Sequence, residues 1–158
     1  MDAGDKFPQF SLPNQDGKTI KLSEYAGKWV ILYVYPKDDT KNCTIQAKAF
    51  TANKADFDKA GVVVLGLSPD DVGSHKNFCQ KFALNIDLLA DPKFELLSAI
   101  GIGQTAWEGI DYWNRTTFII DPKGVVAKRY DKVQAEGHDQ VLLEDVSKLQ
   151  EESKAVSR

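Results

Sequence analysis

Cysteine, long apolar runs and positive charge are all scarce in this sequence, and each scarcity excludes a class of protein. Two cysteines among 158 residues cannot form the framework of a disulfide-rich secreted domain. No apolar run approaches the roughly 20 residues that cross a bilayer, so no membrane anchor is predicted. A formal net charge of -3 gives no broad basic field, so nucleic acid is not an expected partner.

The chain start and the composition together predict a cytoplasmic globular protein. The opening MDAGDKFPQF lacks the basic and then apolar pattern of a secretory signal, which predicts a cytoplasmic location. Hydrophobic residues make up 42% and charged residues 27%, which is typical of a domain with a buried core. Because repeats and Pro/Ser-rich linkers are absent, we expect one domain over residues 1–158, with residues 151–158 as a frayed tail.

Strand and helix patterns alternate along the chain. Residues 29–35 and 62–67 are near-continuous apolar runs, as in strands that are covered on both faces. Turn signals at Asp16-Gly17 and at residues 121–124 predict two hairpins. The other predicted elements are a helical turn capped by Ser23 and ending near Gly27, strands 87–89, 115–120 and 125–130, and helices 42–59, 74–82, 93–100 and 138–150. Together these elements predict an α/β sandwich with a mixed sheet.

The last predicted helix is amphipathic. Its apolar side chains are expected to face inward, namely Val141, Leu142, Val146 and Leu149. His138 stands at the start of this helix, where we expect it to be solvated.

One of the two thiols, Cys43, lies where a predicted strand has ended and a predicted helix begins. Unpaired backbone N–H groups and the positive end of the helix dipole meet there, and both stabilise a thiolate relative to a thiol. Thr40, three residues earlier, can place a hydroxyl beside a small polar ligand, and Pro36 can give the loop an apolar wall. Taken singly, Thr40 is equally explained as a helix N-cap and Pro36 as a strand terminator.

The spacing of these residues carries a resemblance to a known family. Residues 36–43, PKDDTKNC, match the P-x-x-x-T-x-x-C signature of peroxiredoxins. The longer stretch YPKDDTKNCTIQA resembles the bacterioferritin-comigratory-protein, or PrxQ, subfamily. The likeness extends from Gly4-Asp5-Lys6-Phe7-Pro8 to the stretch RTTFIID that begins at Arg115, and on to the terminal helix.

The resemblance implies a thioredoxin-like fold, with an N-terminal β-hairpin and helices on both sides of a mixed sheet. It also implies a thiol peroxidase that reduces hydrogen peroxide and alkyl hydroperoxides without metal, haem or flavin. In that enzyme Cys43 is the peroxidatic nucleophile and becomes a sulfenic acid, while Thr40 aligns the peroxide. Arg115 stabilises the thiolate and the developing negative charge, and Pro36 shields the pocket. Gln46 either braces Arg115 or is an ordinary helix-surface residue.

The second thiol, Cys79, is the candidate resolving cysteine. Many PrxQ members carry that cysteine five residues after the nucleophile, where this chain has Lys48. Other members carry it on the next helix, which is the predicted position of Cys79. The alternative is a packed apolar residue with no chemistry. If Cys79 resolves Cys43, the first turn around Cys43 and part of the Cys79 helix are expected to unwind, and thioredoxin is the expected reductant.

Two other groups of side chains have weaker claims to function. His75 could share a helix face with Cys79, but no paired ligand motif accompanies them, so we expect no metal site. The aromatic residues Trp107, Tyr112 and Trp113 either fill the core, which is the favoured interpretation, or line the substrate pocket and favour bulky peroxides.

Three other functions stay open at this point. The protein could be a one-cysteine peroxidase that an external thiol resolves, or a redox sensor that passes oxidation from Cys43 to a partner. A glutathione-peroxidase-like enzyme is less favoured, because that class does not need the P-x-x-x-T-x-x-C loop. A monomer is expected, since an intramolecular disulfide needs no second chain.

Overall fold

A five-stranded mixed sheet forms the centre of the protein, whose residues 1–156 are described by a computed structural model. From one edge to the other its strands are β5 (Asp87–Ala90), β4 (Val62–Ser68), β3 (Trp29–Val34), β8 (Thr116–Ile120) and β9 (Val126–Tyr130). The pairs β3·β4 and β4·β5 are parallel, whereas β3·β8 and β8·β9 are antiparallel. The predicted α/β architecture with a mixed sheet is confirmed.

The predicted N-terminal hairpin is present as β1 (Ser11–Pro13) and β2 (Thr19–Lys21). Its turn is held by the side chain of Asn14, which accepts hydrogen bonds from the backbone N–H groups of Asp16 and Lys18. A 3-10 turn, Leu22–Tyr25, follows directly. Its N-cap is Lys21 and not Ser23, so the predicted cap is wrong, because Ser23 lies inside the turn.

A second two-stranded hairpin, β6 (Gln104–Trp107) and β7 (Ile110–Trp113), was not predicted from the sequence. Its turn residues Glu108 and Gly109 have φ angles of 50° and 79°. Both lie in the left-handed region that two-residue hairpin turns use. Asn or Asp usually precedes the glycine in such turns, so Glu-Gly is a weak sequence signal.

Residues 1–156 contain four α-helices, which are, in chain order, α1 (Lys41–Ala52), α2 (Lys54–Lys59), α3 (Val72–Phe82) and α4 (His138–Val156). The single helix predicted over residues 42–59 is wrong, because it is interrupted at Asn53. Asn53 leaves helical geometry with a ψ of 12°, and its side chain donates a hydrogen bond to Asp139 of α4. A tertiary contact therefore ends α1 where the apolar pattern continues.

The helix predicted over residues 93–100 is also wrong, because this segment is a series of turns. Phe94 has a φ of 59°, a left-handed conformation that interrupts a right-handed helix. The carboxylate of Asp91 accepts hydrogen bonds from three successive backbone N–H groups, beginning with Glu95, at 2.8 to 3.0 Å. The side chain of Asp91 thus satisfies three backbone N–H groups without a helix, although such groups at a helix start need a capping partner.

The last helix runs further than the sequence pattern indicated. The predicted frayed tail is helical up to Val156, and residues 157–158 lie outside the described residues. Three of the four apolar side chains predicted to face inward are buried or half-buried, but Val141 is 46% exposed. Its neighbour Leu142 occupies the core-facing position, and adjacent helical residues point about 100° apart.

Side chains of β3 alternate between two cores on opposite faces of the sheet. The set that includes Val30 packs with the N-terminal segment and the first hairpin. The set that includes Ile31 and Tyr33 packs with side chains from all four helices. Both cysteines, Cys43 and Cys79, belong to this helix-side core. The two thiols therefore lie on the same face of the sheet.

Candidate active site

Cys43 is the third residue of α1, so it lies in the first turn of a helix, as predicted from the sequence. The first backbone N–H groups of a helix lack partners within the helix, and the dipole places partial positive charge there. Cys43 is 1% exposed and is a free thiol. Its surroundings thus combine low water access with stabilisation of negative charge.

The side chain of Arg115, 72 positions further along the chain, contacts the sulfur of Cys43. It stands directly before β8, and its Nη2 donates a hydrogen bond to the Sγ of Cys43 over 3.0 Å. Its Nη1 donates to the Oε1 of Gln46 over 3.0 Å, so the bracing interpretation of Gln46 agrees with the contact. Since the guanidinium keeps its charge at all relevant pH values, it places a fixed positive charge against the sulfur.

Thr40 and Pro36 lie at the mouth of the site. Thr40 occupies the N-cap position of α1, yet its side chain makes no capping bond. Its hydroxyl instead donates to the carbonyl of Lys37 over 2.9 Å, which leaves the oxygen lone pairs free to accept a hydrogen bond. Pro36, half-buried in the loop after β3, lines the same opening.

A cavity of about 690 Å³ opens over this group. Pro36, Thr40 and Arg115 contribute to one side, and the unpredicted β6–β7 hairpin supplies the other. The aromatic residues of that hairpin line the cavity, namely Trp107, Tyr112 and Trp113. Trp107 is 69% exposed, which excludes core filling for this side chain. The favoured core interpretation is therefore wrong for Trp107, whereas Trp113 both lines the cavity and packs against the core that contains Val30.

Cys79 has different surroundings. It is the eighth residue of α3 and is 8% exposed. Burial raises the pKa of its thiol to about 12, with smaller contributions from the charges of Asp38 and two other carboxylates. Cys43 and Cys79 are both free and are not within disulfide distance of each other. In this arrangement Cys79 is a thiol at neutral pH and cannot reach the sulfur of Cys43.

A buried polar cluster beside the two cysteines was not predicted. Its centre is Asp38, inside the P-x-x-x-T loop, whose carboxylate meets His75 and Ser74 of α3 and Tyr35 at the end of β3. Among residues 1–156, Asp38, Asp70 and His75 form the group with ligand atoms close enough to hold a metal ion, within 4.8 Å of one another. Each of those atoms already takes part in a hydrogen bond within the protein.

The other histidine differs from its prediction. His138 is 7% exposed instead of solvated, and its Nε2 lies 3.0 Å from the hydroxyl of Thr117. Burial lowers its pKa to about 4, although the nearby carboxylates of Asp139 and Asp145 act in the opposite direction. Helical periodicity placed His138 at a helix start, but only the packing of α4 against β8 shows that this start is covered.

Comparison with known proteins identifies the family to which this chain belongs. The model of the AhpC/TSA family matches residues 3–129. Peroxiredoxin Bcp of Escherichia coli is 36% identical over 146 residues, which cover 90% of this chain and 94% of that protein.

Solved structures agree with the sequence matches. The bacterioferritin comigratory protein of Xanthomonas campestris, studied for its alkyl peroxide reduction activity, superposes with a TM-score of 0.82 at 33% identity. That match covers 87% of this chain and 90% of the other. A mutant of PrxQ from Xylella fastidiosa gives a TM-score of 0.90 at 27% identity, covering 95% and 98% of the two chains. The expected thioredoxin-like fold is confirmed, and the chain belongs to the AhpC/TSA family, as a peroxidase of the peroxiredoxin Bcp/PrxQ type.

Proposed function

We propose that this peroxiredoxin reduces hydrogen peroxide and organic hydroperoxides at Cys43 and restores the thiol through a disulfide with Cys79. Membership of the family implies thiol peroxidase activity, and the identity of the two sulfurs is the proposal. The observation that carries it is the 3.0 Å hydrogen bond from Arg115 to the Sγ of Cys43, at a helix start beneath an open cavity.

In the first step the Cys43 thiolate attacks the terminal oxygen of the hydroperoxide. A sulfur–oxygen bond forms while the oxygen–oxygen bond breaks, and its electron pair leaves with the other oxygen, which takes a proton from solvent. The sulfur is oxidised to sulfenic acid and the peroxide is reduced to an alcohol or to water. Arg115 stabilises the thiolate and the oxygen on which charge develops. Thr40 accepts a hydrogen bond from the peroxide and so aligns it for in-line attack.

In the second step the Cys79 thiolate attacks the sulfenic sulfur of Cys43. A disulfide forms, and the departing hydroxide becomes water after taking a proton. Thiol–disulfide chemistry requires the thiolate, but the folded protein holds the pKa of Cys79 at about 12. Opening of α3 therefore both brings the sulfurs together and removes the burial that suppresses the thiolate.

A dithiol protein of the thioredoxin class then completes the cycle. It reduces the disulfide by two electrons and is itself oxidised to a disulfide, which restores both thiols. Thioredoxin, a monomeric state, a cytoplasmic location and a single domain over residues 1–158 stay predictions. Among the described residues, none of the helices is long and apolar enough to span a membrane.

The aromatic side of the cavity supports organic hydroperoxides as substrates. The cavity is larger than hydrogen peroxide requires, and Trp107 and Tyr112 give it an apolar surface next to Arg115. The alkyl peroxide activity of the X. campestris relative is consistent with this assignment. Lys37 and Lys41 also line the cavity and add charged groups to it.

The decisive experiment is intact mass and peptide mapping after one equivalent of hydrogen peroxide, on the wild type and on Cys79→Ser. We expect a Cys43–Cys79 disulfide in the wild type, and a sulfenic acid on Cys43, trapped by dimedone, in the variant. An oxidised Cys43 beside a free Cys79 thiol in the wild type would contradict the second step. The protein would then be a one-cysteine enzyme or a sensor, and steady turnover with an added thiol would distinguish these two.

A further inference from the structure

The cluster around Asp38 connects the two parts of the protein that the proposed cycle has to move. Asp38 lies in the loop between Pro36 and Thr40, and its Oδ2 is 2.6 Å from the Nδ1 of His75 and 2.8 Å from the hydroxyl of Ser74. Both partners lie in the first half of α3. The hydroxyl of Tyr35 donates to the other oxygen, Oδ1, over 2.6 Å. Three side chains therefore converge on one carboxylate.

These groups are almost completely removed from water. His75 is 0% exposed, Tyr35 is 1% exposed and Asp38 is 6% exposed. Burial raises the pKa of Tyr35 well above its usual value, with a further contribution from the charge of Asp38, so its hydroxyl stays a donor. A buried polar group that loses its partner carries the full cost of desolvation, so these bonds hold their segments together strongly.

Hydrogen-bond directions show that Asp38 and His75 act as one unit. The Nε2 of His75 is 2.9 Å from the carbonyl oxygen of Leu89, which only accepts, so Nε2 carries a hydrogen. A proton must also lie between Nδ1 and the carboxylate, because two bare acceptors do not approach to 2.6 Å. Removal of His75 leaves Asp38 with the hydroxyls of Ser74 and Tyr35 but without its ring partner, and removal of Asp38 leaves the buried Nδ1 of His75 without its carboxylate.

The backbone of the same loop is held from a second direction. The N–H of Asp38 donates to the Oδ2 of Asp70 over 2.8 Å, and the hydroxyl of Ser68 donates to that same oxygen over 2.8 Å. The next residue, Asp39, has a φ of 58°, a left-handed conformation that persists only when its neighbours are fixed. The loop that carries Pro36 and Thr40 therefore depends on contacts outside itself for its shape.

We propose that Asp38 and His75 are positioning residues of the peroxidase, which hold the peroxide-reactive loop against α3 and part when the Cys43–Cys79 disulfide forms. Cys79 follows His75 by four residues, one helical turn, so unwinding that frees Cys79 moves the helix that carries His75. The pair thereby sets the balance between the form that binds peroxide and the form that makes the disulfide. The second half of this inference rests on the proposed function of Cys79.

The first test measures the reaction of Cys43 alone, in the Cys79→Ser background, where no disulfide can form. We expect His75→Asn and Asp38→Asn each to lower the rate constant for hydrogen peroxide by about tenfold, because the loop no longer presents Thr40 and the pocket in fixed positions. The double variant should be no slower than the slower single variant, because the two residues act as a unit. Unchanged rates in folded variants would overturn the proposal.

The second test measures the rate of disulfide formation after sulfenic acid formation, in variants that retain both cysteines. Loss of the pair should raise this rate by about tenfold and should lower the formation of sulfinic acid at high peroxide. A slower or unchanged disulfide step would overturn the coupling to Cys79. Peptide mapping of the wild type identifies failure of the disulfide itself, whereas the first test decides the positioning role without it.

Matched variants separate positioning from stability. His138→Asn removes the only other histidine, which is also buried, and should lower the Tm without changing either rate. Tyr35→Phe removes one hydrogen bond to Asp38 and keeps the ring, so a folded protein is retained if His75→Asn does not fold. It should shift both rates in the same directions by about threefold. Equal rate changes in His138→Asn would reduce the Asp38–His75 pair to a structural role and overturn the proposal.

Discussion

Cys43 and Cys79 occupy the same buried core, yet the protein gives them opposite chemistry. Cys43 lies in the first turn of α1 with a guanidinium 3.0 Å from its sulfur. Cys79 lies in the last turns of α3, where its carbonyl accepts from the N–H of Leu84 and where burial, with smaller contributions from nearby carboxylates, raises the pKa of the thiol. Burial alone therefore does not decide the reactivity of these thiols: at Cys79 burial has no compensating positive charge and raises the pKa, whereas Cys43 has a helix start and a guanidinium beside its sulfur.

Removal of the guanidinium that contacts Cys43 should reduce the difference in reactivity between the two thiols most strongly. We expect Arg115→Ala to lower kcat/KM for hydrogen peroxide by about a thousandfold, because transition-state stabilisation and thiolate stabilisation are lost together. Arg115→Lys should keep the charge but lose the two-pronged contact with Cys43 and Gln46, and should recover about tenfold of that loss. Stopped-flow oxidation kinetics measure both. Activity of Arg115→Ala within threefold of the wild type would contradict the assigned role.

Alkylation rates can test the raised pKa of the Cys79 thiol directly. In the Cys43→Ser variant, we expect iodoacetamide to react with Cys79 at least about a hundred times more slowly at pH 7 in the folded than in the unfolded protein. A pKa of about 12 predicts a rate that rises tenfold per pH unit from pH 7 to pH 10 while the fold persists. The unfolded control should level off above about pH 9. A plateau near pH 9 in the folded protein would contradict the raised pKa.

The cavity is a further difference, because its lining includes neither thiol but does include Arg115, which contacts Cys43, and the loop before Cys43. We expect Trp107→Ala to lower kcat/KM for cumene hydroperoxide by about tenfold, since apolar contact area is lost, and to change the value for hydrogen peroxide less than twofold. Val141→Ala is a suitable control, because Val141 of α4 is also an exposed apolar residue but does not line the cavity. Equal losses for the two substrates would argue for a structural role of Trp107.

The smallest expected effect concerns the support of Arg115. Gln46→Leu removes the oxygen that accepts from Nη1 and keeps a buried side chain of similar size. We expect kcat/KM to fall about threefold, because Arg115 keeps its bond to Cys43 but loses one of its restraints. Gln46→Glu should retain the acceptor and show a smaller change. A loss as large as that of Arg115→Lys would mean that Gln46 acts on the substrate directly.

Local elements were predictable where a short stretch of chain contains its own signals. The apolar runs predicted β3 and β4, and Asp16-Gly17 predicted the first hairpin, because turn and strand preferences act between near neighbours. One failure has a local cause and the other a tertiary cause. The carboxylate of Asp91 replaced a predicted helix with turns, and a contact between Asn53 and α4 divided another. Neither partner is visible in a hydrophobic pattern.

The sequence by itself determined the nucleophile and the loop before it, because the spacing from Pro36 to Cys43 and the start of α1 are set within a few residues of backbone. Only the tertiary structure decided which distant groups meet them. It brought Arg115 to Cys43 across 72 positions and His75 to Asp38 across 37. It also kept the two thiols apart. Such contacts depend on how β3, β8 and α3 pack around one core, and packing is a property of the whole chain rather than of any segment.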